Sequence, residues 1–235
     1  MKLCVIIPTY NEADNIKDLI RNIKSSISDI DIIIVDDNSP DKTAEIAKNE
    51  GAIVYIRQSK QGIGSALRFG LDKALELGYD YAVTMDGDFS HDPIYIKDML
   101  RYADSYDLVL GSRYTKGGSI KNWPFYRFLI SKSANLVARV ILGLYSIHDL
   151  TTGYKLYSRK AIEALLINCS MAEGYEFQVC SVYMIVRSGL KVIEVPIVFT
   201  DRRNGVSKLG KMQIFEWILY LVELSRKMPK LINKK

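Results

Sequence analysis

The amino-acid sequence predicts an α/β fold, in which a mostly parallel central sheet is covered by helices. Three observations support this prediction. Short apolar runs alternate with helical patterns along residues 3–113, the connections between them are short, and a composition of 48% hydrophobic and 25% charged residues is typical of a globular chain. We expect a single domain over residues 1–235, with a first half at 1–113 and a second half at 114–235.

The first half contains five predicted strands, each a short run of apolar residues. These runs occupy residues 3–8, 31–36, 52–57, 79–85 and 107–111. Between them, apolar residues recur every three or four positions, which predicts helices near 16–23, at 62–77 and at 93–103. Another helix is predicted to begin after Asp41, which would be its N-cap. Because parallel strands run in one direction, the loops after their carboxyl ends are expected to meet at one edge of the sheet.

The second half follows a different pattern. Residues 123–145 mix aromatic, aliphatic and basic residues with the spacing of one or two amphipathic helices. Two interpretations stay open here: a pair of core-packing helices, or a segment that lies in a membrane interface. The remaining predicted elements are a strand at 154–157, helices at 159–167 and 175–188, an edge strand at 191–199 that Pro196 interrupts, and a helix at 212–224.

Acidic residues follow three of the predicted strands. Glu12 comes after the first strand, Asp36 and Asp37 after the second, and Asp86 and Asp88 after the fourth. Carboxylates gathered at one edge repel each other unless a cation or hydrogen-bond donors lie between them. Stability alone therefore does not explain this pattern, whereas a bound metal together with a nucleotide does.

The sequence Asp86-Gly87-Asp88 is the centre of this cluster. Taken alone, it is also typical of a turn after an edge strand. In the context of the other acids, its two carboxylates predict a site for Mg²⁺ or Mn²⁺ that keeps positions open for substrate phosphates. Gly87 carries no side chain, so a ligand can approach the backbone closely.

Charge and cysteine content give further expectations. A net charge of +5 is compatible with nucleic acid, an anionic membrane surface or anionic substrates. No apolar run reaches the roughly 18 residues of a spanning helix, and no signal peptide is expected, so we predict a soluble or peripheral protein. Cys4, Cys169 and Cys180 are widely spaced, which favours buried thiols in a reducing compartment.

Residues 201–211 form a basic loop that contains glycines. One interpretation is a solvated surface loop. The other is a mobile lid that closes over a diphosphate.

Three segments resemble the motifs of the family 2 inverting glycosyltransferases, which have the GT-A fold. They are VIIPTYNE at 5–12, VDDNSPD at 35–41 and MDGDFSHDP at 85–93. Further segments resemble a narrower family, the dolichyl-phosphate mannose synthases, and they lie at 111–114, 122–127, 149–155, 174–178, 194–196 and 207–210.

The resemblance implies a role for individual residues. The nucleotide-sugar, GDP-mannose, is expected to contact Pro8, Tyr10, Glu12, Val35, Asp37, Asp86, Gly87, Asp88, Arg202 and Lys208. Asp86 and Asp88 would hold the metal, and Arg113, Arg127 and Ser131 would meet the phosphate of a dolichyl or polyprenyl phosphate acceptor. Asp86, Asp88, Arg113 and Arg127 are therefore the predicted catalytic residues.

The resemblance also implies a peripheral protein on the cytoplasmic face of a membrane, with small membrane subunits as candidate partners. Two positions depart from the family pattern. Ser90 stands where some relatives have a glutamine metal ligand, and Cys180 stands where relatives often have an acidic residue.

Two other functions are alternatives to this one. A related transferase would use UDP-glucose or another sugar nucleotide on the same lipid phosphate. A non-catalytic domain that binds nucleotide or nucleic acid is disfavoured, because acids rather than cations line the predicted cleft.

Overall fold

The structure is a computed structural model that describes residues 1–169, 172–201 and 211–227. Its strands are β1 (Leu3–Thr9), β2 (Asp31–Asp36), β3 (Ile53–Ile56), β4 (Tyr81–Thr84), β5 (Leu108–Ser112), β6 (Ser119–Lys121), β7 (Lys155–Ser158), β8 (Val192–Pro196) and β9 (Val198–Thr200). Its helices are α1 (Ala13–Ser26), α2 (Thr43–Asn49), α3 (Ile63–Glu76), α4 (Tyr95–Leu100), α5 (Phe125–Leu142), α6 (Arg159–Asn168), α7 (Glu176–Arg187) and α8 (Lys211–Lys227).

Seven strands form the central sheet, in the order β3-β2-β1-β4-β7-β5-β8. Strands β1 to β4 are parallel, and β5 is parallel to β8, so the predicted mostly parallel α/β fold is confirmed. Strand β7 runs antiparallel to both of its neighbours, β4 and β5. This insertion places a strand of the second half directly beside β4.

The sheet separates two hydrophobic cores. Successive side chains of a strand point to opposite faces, so Cys4 and Ile6 of β1 belong to one core, and Val5 and Ile7 to the other. Helix α3 lies so close to the first face that a Cβ on Gly70 would be 2.4 Å from Cγ2 of Ile6. Glycine is therefore required at this helix–strand contact.

The predicted strand at 191–199 is in fact two strands that belong to different sheets. Strand β8 is the edge of the central sheet, as predicted, whereas β9 pairs with β6 in a separate two-stranded sheet. The N–H of Ile197 donates to Ser112 O, and Ile197 O accepts from Ser119 N–H. Ile197 is thus the link between the two sheets, and the sequence pattern did not reveal β6.

The predicted amphipathic segment at 123–145 contains one helix, α5, which is one of the two counts that the sequence allowed. One other local prediction needs adjustment. The N-cap of α2 is Lys42 instead of Asp41, although the Asp41 carboxylate still accepts from the N–H of Thr43 at 3.1 Å. The same carboxylate also accepts from Ala13 N–H, so it joins the starts of two helices.

The expectation of free thiols is wrong for two of the three cysteines. Cys169, at the end of α6, and Cys180, in α7, form a disulfide with their Cα atoms 6.1 Å apart. The two residues are 11 positions apart in sequence, and only the packing of α7 against α6 brings them together. Cys4 is a buried free thiol, as predicted, and burial raises its pKa.

Candidate active site

The carboxyl ends of β1, β2 and β4 meet at one edge of the sheet, where they bring the predicted acids together. In this parallel arrangement Thr9 pairs with Asp36, and Ile6 pairs with Thr84. A Cβ on Gly87 would lie 3.5 Å from the Glu12 side chain. The expected meeting of the acids is therefore observed, while their roles stay predictions.

Three further residues of the predicted nucleotide site lie at this edge. Pro8 and Val35 are register partners in β1 and β2. Tyr10 follows β1 with its ring exposed, and Nζ of Lys60 lies 4.4 Å from the ring centroid. An exposed ring beside a cation is available to stack on a flat ligand group.

Asp37 is buried and held by an arginine that sequence reasoning missed. Nε of Arg57 donates to Oδ1 of Asp37 at 2.6 Å, and the N–H of Gln61 donates to Oδ2 at 3.3 Å. The other guanidinium nitrogens bind Ser65 Oγ at 2.8 Å and Gly62 O at 3.1 Å. Arg57 therefore ties Asp37 to the start of α3.

Asp36, beside Asp37, has a different environment. It is fully buried and accepts from Thr9 Oγ1 at 2.8 Å and from the N–H and hydroxyl of Ser39 at 2.8 and 2.6 Å. These donors compensate for the burial of its carboxylate oxygens, because a buried polar group is costly unless it is hydrogen-bonded. Asp36 joins the loops after β1 and β2.

Asp86 and Asp88 follow β4, and each is oriented by a nearby residue. Oδ1 of Asp88 accepts from the N–H of Ser90 at 3.1 Å and from the Ser90 hydroxyl. The backbone N–H of Asp86 donates to Nδ1 of His91 at 3.1 Å, so this ring nitrogen is the acceptor. Burial lowers the pKa of His91, which favours the neutral ring that this hydrogen bond requires.

The two carboxylates form a donor set that fits a divalent cation. Within the described ranges, no group of three or more histidine, cysteine or acidic side chains could hold a metal, so the candidate site is one with two protein carboxylates. Mg²⁺ and Mn²⁺ prefer oxygen ligands, and Mg²⁺ is often held by one or two carboxylates together with substrate phosphates. Asp86 and Asp88 match this requirement.

Arg113 lies at the end of β5, where it forms a buried ion pair with Asp149. Its Nε and Nη2 donate to Oδ2 and Oδ1 of Asp149 at 2.8 and 2.7 Å, and Nη2 also donates to Thr151 Oγ1 at 2.8 Å. The arginine lowers the pKa of Asp149 below its usual range, against the opposing effect of burial. The sequence did not indicate Asp149 as the partner of Arg113.

Arg127 has a more open environment at the start of α5. Its Nη1 lies 2.8 and 3.0 Å from the two carboxylate oxygens of Asp201, and both side chains are 23% exposed. The guanidinium lies over the Trp123 ring, 4.4 Å from the centroid. Ser131, one turn along the helix, accepts a hydrogen bond from Tyr114 at 2.8 Å.

Helix α5 presents an apolar face to solvent. At 100° per residue, its exposed apolar residues fall within one side of the helix, and they include Phe125, Tyr126, Leu129, Ile130, Leu136 and Val140. The opposite side carries buried Ala138 and Leu142. None of the helices that the structure describes combines the length and hydropathy needed to cross a bilayer.

The predicted lid residues Arg202 and Lys208 lie outside the described residues. Their contacts with the donor stay a prediction.

Comparisons with known proteins agree on one family. A family model for glycosyl transferase family 2 matches residues 4–166. The polyprenol monophosphomannose synthase of Mycolicibacterium smegmatis is 38% identical over 93% of this chain and 85% of its own. The undecaprenyl-phosphate mannosyltransferase of Micrococcus luteus is 37% identical over 89% of this chain and 88% of its own.

A third relative is longer than this chain. The dolichol-phosphate mannosyltransferase of Pyrococcus furiosus is 36% identical over 96% of this chain, but this match spans only 64% of the relative.

A solved structure shows the same fold. Glucosyl-3-phosphoglycerate synthase of Mycobacterium tuberculosis, in complex with Mn²⁺, UDP-glucose and phosphoglyceric acid, superposes with a TM-score of 0.73. It covers 94% of this chain and 80% of its own at 21% identity. At this identity the likeness shows the fold alone, and it agrees with the predicted GT-A architecture.

Proposed function

The chain belongs to glycosyl transferase family 2, and from this membership we propose that it transfers mannose from GDP-mannose to a polyprenyl monophosphate, with inversion at the sugar carbon. The observation that carries the proposal is the arrangement at one edge of the sheet. Asp86 and Asp88 follow a central strand, the Asp37–Arg57 pair lies on one side of them, and relatives named as mannosyl transferases match most of the chain.

The donor's nucleoside is assigned to the loops after β1 and β2. A guanine base and a ribose offer N–H and O–H donors, for which carboxylate oxygens are acceptors. Asp37 is suited to this role because Arg57 and the N–H of Gln61 fix the position of its carboxylate. Tyr10 is the exposed ring on which the base would stack, and Glu12 lies beside Gly87.

The transfer itself places an anionic nucleophile against an anionic leaving group. A phosphate oxygen of the acceptor forms the new bond to the sugar carbon, the bond to the diphosphate breaks, and GDP leaves with the electron pair. The acceptor phosphate has its second pKa at about 6, by analogy with phosphorylated side chains, so it needs no strong general base. A divalent cation held by Asp86 and Asp88 would neutralise charge on the diphosphate.

The two arginines of the predicted acceptor site differ in how readily they can bind a phosphate. The Arg127–Asp201 pair exchanges partners at lower cost than the Arg113–Asp149 pair, because both of its side chains are 23% exposed, whereas those of Arg113 and Asp149 are 8% and 0% exposed. Arg113 is buried and paired with fully buried Asp149. As long as this ion pair is intact, we assign to Arg113 an electrostatic attraction for the acceptor phosphate without direct contact. Arg127 is thus the principal donor to the acceptor phosphate in this proposal.

The lipid chain of the acceptor requires contact with a membrane, and the exposed face of α5 suits that contact. Aromatic and aliphatic side chains cover this face, and exposed Lys132 lies at its border. Such a helix lies in a bilayer interface with its apolar side inward and its basic residues near the headgroups. Arg127, on the same helix, would then lie near the membrane surface, where the phosphate of the acceptor is found.

The test is incorporation of labelled sugar into polyprenyl phosphate by the purified protein with Mg²⁺. GDP-mannose and UDP-glucose are offered in parallel reactions. Label from GDP-mannose alone supports the proposal, whereas label from UDP-glucose alone assigns the same site to a different donor. Absence of transfer from both donors, with metal-dependent nucleotide binding intact, argues against the proposed acceptor.

A further inference from the structure

Lys155 is a fully buried lysine on β7, the strand that runs antiparallel beside β4. Its ammonium group donates three hydrogen bonds, to Gln178 O and Gln178 Oε1 at 2.7 Å each and to Ser181 Oγ at 2.8 Å. All three acceptors are neutral. Burial lowers the pKa of Lys155 well below its ordinary value, so this lysine is costly to the fold.

The bond to Lys155 determines which way the carboxamide of Gln178 faces. Since Lys155 occupies the oxygen end, the Nε2 end must point elsewhere, and it points toward the loop that holds Gly153. The position of a Cβ on Gly153 would be 3.4 Å from Gln178 Nε2 and 3.3 Å from Asp86 Oδ1. Gln178 and Asp86 therefore border one small space, which a side chain at position 153 would fill.

We propose that Lys155 and Gln178 are positioning residues for Asp86. Lys155 fixes the Gln178 carboxamide, whose Nε2 end borders the same space beside Gly153 as Oδ1 of Asp86. The backbone of Asp86 is held separately by His91. The inference rests on the proposed function, in which Asp86 holds the cation. It explains why a lysine is buried at this position despite the free-energy cost: the lysine helps to orient the Asp86 carboxylate.

The arrangement of β7 explains how residues distant in sequence reach Asp86. Lys155 is the register partner of Thr84, two residues before Asp86, and Thr84 Oγ1 donates to Gly153 O at 2.8 Å. Gln178 comes from α7, which contacts this strand pair through the hydrogen bonds of Gln178 and Ser181 with Lys155. A partner that holds a metal-binding carboxylate typically changes metal affinity by about 10- to 100-fold when it is removed.

The experiment measures binding directly and does not depend on turnover. Free Mn²⁺ is followed by electron paramagnetic resonance during titration of the protein with Mn²⁺ and GDP, and GDP binding without metal is measured in parallel. Lys155→Met and Gln178→Met are each expected to weaken Mn²⁺·GDP binding about 10- to 100-fold, with metal-free GDP binding unchanged. The Mn²⁺·GDP affinity of the double variant is expected to equal that of the single variant with the lower affinity, because both changes act through one carboxamide.

Ser181→Ala is the matched control, because it removes a Lys155 partner while leaving the Lys155–Gln178 Oε1 bond in place. Its Mn²⁺·GDP affinity is expected to equal that of the wild type. If Lys155→Met does not fold, Gln178→Met tests the proposal alone. Unchanged Mn²⁺ binding in Gln178→Met, or losses that multiply in the double variant, would overturn it. Failure of the proposed function is distinct, since it would appear as absent mannose transfer by a wild type that binds Mn²⁺·GDP.

Discussion

Replacing Asp149 by asparagine tests how much the buried ion pair with Arg113 contributes to stability. Asp149 accepts from the backbone N–H, Nε and Nη2 of Arg113 at 2.9, 2.8 and 2.7 Å, and it has no exposed surface. The substitution keeps the shape of the side chain but leaves a guanidinium buried without its counter-charge. Loss of one partner of a buried pair costs about 3–5 kcal/mol.

The loss in free energy of unfolding for Asp149→Asn is expected near the lower end of the ~3–5 kcal/mol range, at about 3 kcal/mol, because aromatic rings surround Arg113. The rings of Tyr114, Trp123 and Phe199 have their centroids 5.3, 5.6 and 5.5 Å from the guanidinium carbon, and each attracts the cation. For a chain of this size, about 3 kcal/mol corresponds to a fall in Tm of roughly 6–12 °C. Thermal unfolding at pH 7, followed by circular dichroism, measures this shift.

The Arg21–Glu50 pair provides a control with similar geometry and different burial. Nε and Nη2 of Arg21 donate to the two Glu50 oxygens at 2.8 and 2.9 Å, but the arginine is largely exposed. Glu50→Gln is expected to change Tm very little. If Asp149→Asn lowers Tm no more than Glu50→Gln does, burial does not determine the strength of the Arg113 pair and the reasoning is refuted.

The same pair predicts a pH dependence. The folded-state pKa of Asp149 is lowered, so its stabilisation is present above the unfolded pKa of about 3.9 and is lost as the pH falls through the folded value. The Tm values of the wild type and of Asp149→Asn should therefore converge below about pH 4. A difference that stays constant from pH 7 to pH 2 would show that the ionised carboxylate is not its source.

Three further predictions concern the site and the disulfide. Asp88→Ala is expected to abolish mannose transfer, and near-normal turnover in the labelled-sugar assay would contradict the metal assignment. Arg127→Ala should raise KM for the polyprenyl phosphate more than it weakens GDP-mannose binding, and an equal loss of donor affinity would argue against an acceptor role. Reduction of the Cys169–Cys180 disulfide should lower the free energy of unfolding by about 3 kcal/mol, as the closure entropy of an 11-residue separation implies. Thermal unfolding with and without a dithiol measures that change, and Cys169→Ser with Cys180→Ser should remove the difference.

The sequence alone predicted the strands that carry the acids, and it did so for a physical reason. Apolar runs such as residues 31–36 must be buried, and the polar residue that ends each run marks the point where the chain leaves the sheet. Parallel strands then place Glu12, Asp37 and Asp86 at one edge without further information. The family 2 motifs agreed with that placement, because they lie in the same loops.

Partners that come from distant segments were decided only by the tertiary structure. Arg57 reaches Asp37 because β3 pairs with β2. The signal in the sequence that could have indicated this contact is the position of Arg57 at the end of the predicted strand 52–57, next to the strand that ends at Asp36. The contact between Asp149 and Arg113 depends on a loop that returns to the end of β5, and no local pattern encodes it.

The cysteines and the buried lysine show the same distinction. Spacing along the chain indicated separate thiols, whereas the packing of α7 on α6 joins Cys169 to Cys180. Lys155 has the sequence character of a surface residue, yet the insertion of β7 between β4 and β5 buries it. Hydrophobic periodicity determines which segments are buried, but the order in which distant strands pair determines which polar side chains are buried with them.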